Sequence, residues 1–202
     1  QKYRDQRELD HVGDKDSEYL VVDTNDDYYN IAKKTFLALD NINSNYEYDF
    51  VFRTNTSSYI NFKNLKEFVK KDFQSLDYSG SILEAVEGDT IASGAGIFLS
   101  KKNVELILQN SDYFDESLPD DVAISRVLKK FNIVPKDLNR INLKSVPSPK
   151  IVFNTSDFHY RCRLDPNYHR LLEPSLMRYL AKATKKIGFT THFHYFVLKL
   201  IF

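Results

Sequence analysis

Cysteine, tryptophan and an excess of charge of either sign are what this sequence lacks. Cys162 is the only cysteine in 202 residues, which excludes an internal disulfide and any metal site built from several cysteines. Lys plus Arg and Asp plus Glu number 28 each, so no general attraction to nucleic acid or an anionic membrane is expected. No run approaches the ~20 apolar residues of a membrane span. We therefore expect a soluble protein of a reducing compartment, most simply the cytoplasm, without a membrane span or a nucleic-acid partner.

The amino end carries no recognisable signal peptide, because residues 1–18 are polar, charged and without periodicity. The chain begins with Gln1 rather than methionine, which suggests a piece of a longer protein. A hydrophobic content of 42% suits one medium domain, and no repeat or linker argues for a second. We predict a polar segment over 1–18 and a single domain over 19–202.

Apolar periodicity predicts strands that alternate with helices, the pattern of an α/β sandwich. The predicted strands share short apolar or aromatic runs and cover 19–22, 48–53, 81–86, 91–100, 141–146 and 150–154. The predicted helices share apolar positions at helical spacing and cover about 27–42, 62–73, 101–108, 118–131 and 173–187. Capping residues are predicted at Asp26 or Asp27, Asn61, Ser100 and Ser117. The aromatic stretch 189–202 suits either a strand or a tail that faces a partner.

An acidic pair, Asp120 and Asp121, begins the helix predicted after Pro119. Two acids in a first turn are favoured by the helix dipole, by ~0.3–1 kcal/mol each, which is the ordinary explanation. The alternative is that one carboxylate faces a cleft and acts as a general base toward a substrate hydroxyl. The sequence alone leaves both explanations open.

Two glycines, Gly94 and Gly96, interrupt a predicted strand at Ser93-Gly94-Ala95-Gly96. The third glycine and the strand-to-helix placement of a dinucleotide fingerprint are absent, so we reject that interpretation. Glycine inside a strand marks a bulge or the close approach of another backbone or of a ligand. Both explanations stay open.

Alternation places His159, Arg161 and Arg163 on one face if their segment is extended. Arginine forks match phosphate oxygens, so this face suits a diphosphate. The alternative is an exposed basic edge strand, whose charges prevent aggregation. His192 and His194 share a strand face farther on, but no third ligand accompanies them, which argues against a metal site.

A polar cluster without any aspartate follows the aromatic strand that ends near Arg53. Asn55-Thr56-Ser57-Ser58 lies between that strand and the helix predicted after Asn61. In open α/β sheets, ligands bind where strands end and helices begin.

Four segments in order resemble the fringe-like β-1,3-glycosyltransferases. They are the Asp-Asp-Tyr-Tyr-Asn segment at 26–35, the Arg-Thr-Asn-Thr-Ser-Ser segment at 53–61, the Ser-Gly-Ala-Gly strand at 93–100 and Pro-Asp-Asp-Val at 119–122. Together they span about 19–128. The resemblance implies a GT-A type α/β/α sandwich with a mixed, mostly parallel central sheet. The first, nucleotide-binding strands of that fold are not evident in this sequence.

The resemblance implies an inverting transfer of a sugar, with a UDP-sugar as the expected donor and a hydroxyl of a glycan or protein as the acceptor. Asp121 matches the family's general base. The positions that the resemblance or their chemistry assigns to substrate binding are Lys34, Arg53, Asn55, Thr56, Ser57, Ser58, Gly94, Ala95, Gly96, Asp120, His159 and Arg161.

The departure from the family lies at Asn55, Thr56 and Ser57, where the family has aspartates that bind a divalent cation. His159 is the local candidate for the histidine that completes that metal site. Neutral amides and hydroxyls are weak ligands for hard cations, so we expect no tightly bound Mn or Mg. The cations assigned instead to the leaving diphosphate are Arg53, Arg161, Arg163 and Lys34. The alternative is a domain that has lost catalysis and binds a carbohydrate or a nucleotide.

Overall fold

The computed structural model describes residues 24–25, 27–73, 76–85, 88–144, 157–164, 172–183 and 195–198. The predicted polar segment 1–18, the strands predicted at 19–22 and 150–154, and His192 and His194 lie outside these residues.

Helices and strands are interspersed along the chain, which confirms the predicted α/β class. Their bounds are α1 Ile31–Asn45, β1 Phe50–Thr54, β2 Ser58–Ile60, α2 Phe62–Asp72, β3 Tyr78–Glu84, β4 Thr90–Ser100, α3 Lys101–Gln109, α4 Asp120–Lys130, β5 Lys136–Asp137, β6 Ile141–Asn142, β7 His159–Arg161, α5 Glu173–Ala183 and β8 Tyr195–Leu198. A 3-10 turn at Ser111–Tyr113 follows α3.

The strands form two mixed sheets, with orders β5-β3-β4-β1-β8 and β2-β7-β6. In the larger sheet β4 is antiparallel to both β1 and β3, β1 is antiparallel to β8, and only β3 and β5 run parallel. The expectation of a mostly parallel sheet is therefore wrong for the described strands. The reason is that β4 follows β3 closely in the sequence and pairs with it antiparallel, from Glu84 with Thr90 onward, while it lies between β3 and β1 in the sheet.

The two faces of β1 and β4 pack against different helices, because neighbouring residues of a strand point in opposite directions. Val51, Ile97 and Leu99 belong to a buried cluster with side chains of α1, α3 and α4. Phe52 and Phe98 belong to a second cluster with side chains of α2. Every residue of β1 is buried, so the strand lies in the centre of the core.

Two of the predicted caps are confirmed. The side chains of Asn61 and Ser100 each accept a hydrogen bond from the backbone N–H three residues later, at the starts of α2 and α3. Ser117 does not cap α4, because its Oγ donates to Asp115 Oδ1 at 2.6 Å and Pro119 occupies the capping position.

Two local expectations need correction. Residues 43–45 do not end α1, which continues through Asn45 while the side-chain amide of that residue donates to the Asn41 carbonyl. The polar cluster after β1 does not lead directly into α2 either, because β2 intervenes and pairs with β7. Among the described residues no helix has the length and apolar character needed to cross a bilayer.

Candidate functional site

The glycine-rich part of β4 is an irregularity in the larger sheet. Two residue steps along β3, from 80 to 82, are matched by five along β4, from 92 to 97. The extra residues fall on Ser93-Gly94-Ala95-Gly96, so the predicted bulge is confirmed. The bulge turns backbone groups away from the ladder, where they meet side chains of α4 and of the smaller sheet.

Asp121 is attached to this bulge. Its Oδ2 accepts a hydrogen bond from the Gly94 N–H at 2.8 Å, and its Oδ1 accepts one from the Val122 N–H at 3.0 Å. Burial raises the pKa of this half-buried carboxyl, an effect that the Gly94 N–H opposes. The result is a fixed carboxylate with a higher proton affinity than an exposed aspartate, which is the chemistry of a general base.

Asp120 has a different environment although it is the next residue. Its Oδ2 lies 2.5 Å from Nη2 of Arg53 and accepts a hydrogen bond from Thr35 Oγ1 at 2.8 Å. The Asp120 and Arg53 side chains are only 4% and 6% exposed. Asp120 and Arg53 therefore join α4 to β1 inside the core, and both charges are engaged within the protein.

The smaller sheet presents a polar face toward the bulge. Its register pairs Ser58 with Arg161 and Arg161 with Asn142, so these three side chains share a face, together with His159 two residues earlier on β7. The opposite face carries Tyr59, Tyr160 and Ile141, which pack with apolar residues of α5. Since β7 is the middle strand of this sheet, the alternative of an exposed basic edge strand is wrong.

Arg140 is a residue of this face that the sequence did not single out. It precedes β6 at the level of His159, its Nη1 donates to Ser93 Oγ at 2.9 Å and its Nε donates to Asn142 Oδ1 at 2.9 Å. Burial, and then the charge of Arg161, lower the pKa of Arg140 to about 10. The alternation Arg140-x-Asn142 is the same pattern that drew attention to His159-x-Arg161, but it covers too few residues to stand out.

His159 lies beneath the bulge as a neutral, buried side chain. Its Nε2 is 3.2 Å from Ser58 Oγ, and its ring stacks on Phe158 with 6.1 Å between ring centres. Burial, followed by the charge of Arg140, lowers the pKa of His159 to about 3. It is therefore uncharged at neutral pH.

The polar cluster after β1 forms a tight turn. Asn55 Oδ1 accepts a hydrogen bond from the Ser57 N–H at 3.1 Å and lies 3.2 Å from Ser58 Oγ. Thr54 Oγ1 and Ser58 Oγ both donate to the Ala95 carbonyl, at 2.8 and 3.0 Å. These side chains fasten the turn to the bulge, while Thr56 is exposed at its tip.

Two of the predicted cations lie at the surface. Lys34 donates from Nζ to the Asp27 carbonyl at 3.2 Å, at the start of α1. Arg163 is exposed beyond the end of β7, and after burial its charge is the next cause that lowers the pKa of Arg161. Apart from Arg53, which is paired with Asp120, the predicted or observed cations on the side of the bulge that faces the smaller sheet are thus Arg140 and Arg161.

The residues at this site do not fit a divalent cation. Asn55 Oδ1 is used by its own turn, Asp120 is paired with Arg53, and two guanidinium groups flank the bulge. Within the described part of the chain no group of three or more His, Cys, Asp and Glu side chains is arranged to hold a metal. A cation brought here would meet two positive charges and few free carboxylate oxygens.

The glycines of the bulge make room for side chains of this protein. A Cβ at Gly96 would lie 2.7 Å from Nδ1 of His159 and closer still to its Cε1. A Cβ at Gly94 would lie 2.7 Å from Nη1 of Arg53 and 3.1 Å from Oδ2 of Asp121. Gly94 and Gly96 are thus required because Asp121, Arg53 and His159 pack directly on the strand.

Gly96→Ala is expected to lower the free energy of unfolding by about 1–3 kcal/mol, because the rigid ring of His159 cannot move away. Urea unfolding of the purified variant measures the loss. In a His159→Ala background the same glycine substitution should cost much less. An equal cost in both backgrounds would show that the His159 ring is not what requires the glycine.

Comparison with protein-family models gives no match for this chain, and comparison with curated proteins gives none either. The function is therefore inferred from the residues and their geometry.

Proposed function

We propose that this chain is a glycosyltransferase domain that moves a sugar, with inversion, from a nucleotide diphosphate sugar to a hydroxyl of a glycan or protein. The observation that carries the proposal is Asp121, a half-buried carboxylate that is fixed by the Gly94 N–H at a strand bulge and attracts Arg161 of the second sheet. The sequence resemblance assigns the base to this same residue. A UDP-sugar is the proposed donor, and a GT-A type sandwich is the proposed fold.

In the proposed reaction Asp121 takes the proton of the acceptor hydroxyl as its oxygen attacks the anomeric carbon. The new bond from carbon to oxygen forms while the bond from carbon to the diphosphate breaks, and the diphosphate leaves with the electron pair. A base with a raised pKa holds that proton well, and it must be ionised to begin. Because attack and departure lie on opposite sides of the carbon, the configuration inverts.

The polar face of the smaller sheet supplies the charge for the leaving group in this proposal. Arg161 is cationic and close enough to Asp121 for their charges to interact. Ser58 lies beside it on the same face, while Asn55 and Ser57 hold the turn that places Ser58. Positive groups fixed in advance stabilise a departing oxyanion without reorganisation, so the proposal requires no tightly bound metal.

Asp121→Asn tests the proposal. The rate of transfer from UDP- and GDP-sugars, measured as release of the nucleoside diphosphate, should fall by about 100-fold or more, since an amide cannot accept the proton. Folding should be preserved, because the amide oxygen of the new side chain can still accept from the Gly94 N–H and the cost of a buried charge is removed. Asp112→Asn, an exposed acid on the 3-10 turn, is the matched control. Retained turnover in Asp121→Asn would remove Asp121 from the mechanism.

A second candidate function is a domain that binds a carbohydrate or nucleotide without catalysis. It is favoured by Asp120, whose burial with Arg53 leaves a single carboxylate of the acidic pair at the bulge. Thermal unfolding with each nucleotide sugar, with and without Mn²⁺, separates the two functions. Stabilisation by a donor without transfer or hydrolysis supports binding alone, whereas turnover without metal supports the enzyme.

A further inference from the structure

Arg140 and Arg161 bring two positive charges together on the polar face of the smaller sheet. Arg140 precedes β6 and Arg161 ends β7, and the parallel pairing of these strands places both side chains on one face, from which Arg140 reaches Ser93 of the bulge. Burial, and then the charge of Arg161, lower the pKa of Arg140, as expected for two guanidinium groups on one partly buried face. Like charges in such a position are unfavourable unless an anion joins them.

The two side chains are held in place but not neutralised. Arg140 is oriented by Ser93 and Asn142, which are uncharged acceptors. The Nε of Arg161 is buried and has no hydrogen-bond partner among the residues that the structure describes. In the same part of the chain no carboxylate forms an ion pair with either guanidinium. Asp121 and Glu173 influence Arg161 only through longer-range attraction.

We infer that Arg140 and Arg161 form a binding site for a multiply charged oxyanion of the phosphate or diphosphate class. Guanidinium forks match the oxygens of a phosphate in pairs, and neither arginine has an ion-pair partner among the described residues. The inference deepens the proposed function and rests on it for the identity of the anion, the leaving diphosphate. Ser93, which orients Arg140, is the neighbour of Gly94, which holds Asp121. The anion site and the base therefore lie side by side at one bulge.

Pyrophosphate is the probe for this site. Isothermal titration of the full chain, at low ionic strength and without divalent cations, should show saturable binding that weakens as salt is added. Arg140→Gln and Arg161→Gln should each weaken it by about tenfold or more, the size of a lost charge-assisted hydrogen bond. Arg178→Gln removes the same charge from the exposed side of α5, whose apolar residues pack on the opposite face of the sheet, and should leave binding unchanged.

Several results would overturn the inference. One is pyrophosphate affinity that does not change when either arginine is replaced, and another is an equal loss of affinity in Arg178→Gln. A third is succinate binding as tightly as pyrophosphate, which would indicate a general attraction of anions. Should Arg140→Gln fail to fold, Arg140→Lys keeps the charge but loses the fork, and it should still bind more weakly than the wild type.

The proposed function and the anion site can fail separately. Asp121→Asn removes a negative charge near Arg161, so pyrophosphate should bind it at least as tightly as it binds the wild type, although transfer is lost. The wild-type chain could also bind pyrophosphate through both arginines and yet transfer no sugar. That result would support the anion site and contradict the glycosyltransferase proposal.

Discussion

Asp120→Ala is expected to lower the free energy of unfolding by about 3–5 kcal/mol, because it leaves the buried guanidinium of Arg53 without its carboxylate. The same change removes the acceptor of the Thr35 hydroxyl. A domain is stable by only about 5–15 kcal/mol, so this loss is a large share of the total free energy of unfolding. Urea unfolding followed by circular dichroism measures the difference and avoids the screening that a salt denaturant would add.

A double-mutant cycle measures the interaction energy between Asp120 and Arg53. Arg53→Met should also be strongly destabilising, because it leaves Asp120 as the uncompensated buried charge, whereas Arg53→Met with Asp120→Ala should cost much less than the sum. Asp121→Asn, one residue away, is the matched control and should change stability little. A cost below about 1 kcal/mol for Asp120→Ala would mean that the other interactions of Arg53 compensate for the lost carboxylate, and that the pair is not what joins α4 to β1.

Asp120 and Asp121 show why the acidic pair could not be interpreted from the sequence. Both residues satisfy the helix dipole equally, and nothing in their order indicates which carboxylate faces Arg53. Successive residues of a helix point about 100° apart, so one carboxylate enters the core while the other meets the bulge. Only the position of α4 relative to β1 and β4 decides which residue does which.

Local patterns predicted the longer elements well, since each carries its own information. The aromatic run of β1, the apolar length of β4 and the caps at Asn61 and Ser100 all depend on residues a few positions apart. The order and direction of the strands depend instead on pairings between distant segments. A strand inserted between two others, as β4 is, leaves no mark in local periodicity.

The smaller sheet is the part of the site that the sequence could not provide. β2 and β7 have three residues each and β6 has two, too few to establish a period of two. Arg140 and Arg161 lie on one face only because β6 pairs with β7. The prediction that His159 and Arg161 share a face is confirmed, because it required a single short extended segment.

The stability of the protein is expected to fall on acidification between pH 6.5 and about 3 through His159. Its folded pKa is lowered to about 3, by burial and by Arg140, from an ordinary value of 6.5. Below pH 6.5 the unfolded chain binds a proton that the folded chain does not, so the free energy of unfolding falls by roughly 1.4 kcal/mol per pH unit. The contribution lost between pH 7 and pH 4 is about 3 kcal/mol. Asp121 acts in the opposite sense, because its raised pKa lets the folded state take up a proton first.

His159→Phe separates the contribution of His159 to the pH dependence of stability from that of the carboxylates. Phenylalanine keeps a flat ring against Gly96 and beside Phe52, and Ser58 Oγ retains its hydrogen bond to the Ala95 carbonyl. Urea unfolding of both proteins at pH 7 and pH 4 gives the measurement. The wild type should lose about 3 kcal/mol more than the variant over this interval, since carboxylates such as Asp121 titrate in both. Equal losses would mean that the folded protein can protonate His159, and therefore that its ring is not shut off from water beneath the bulge.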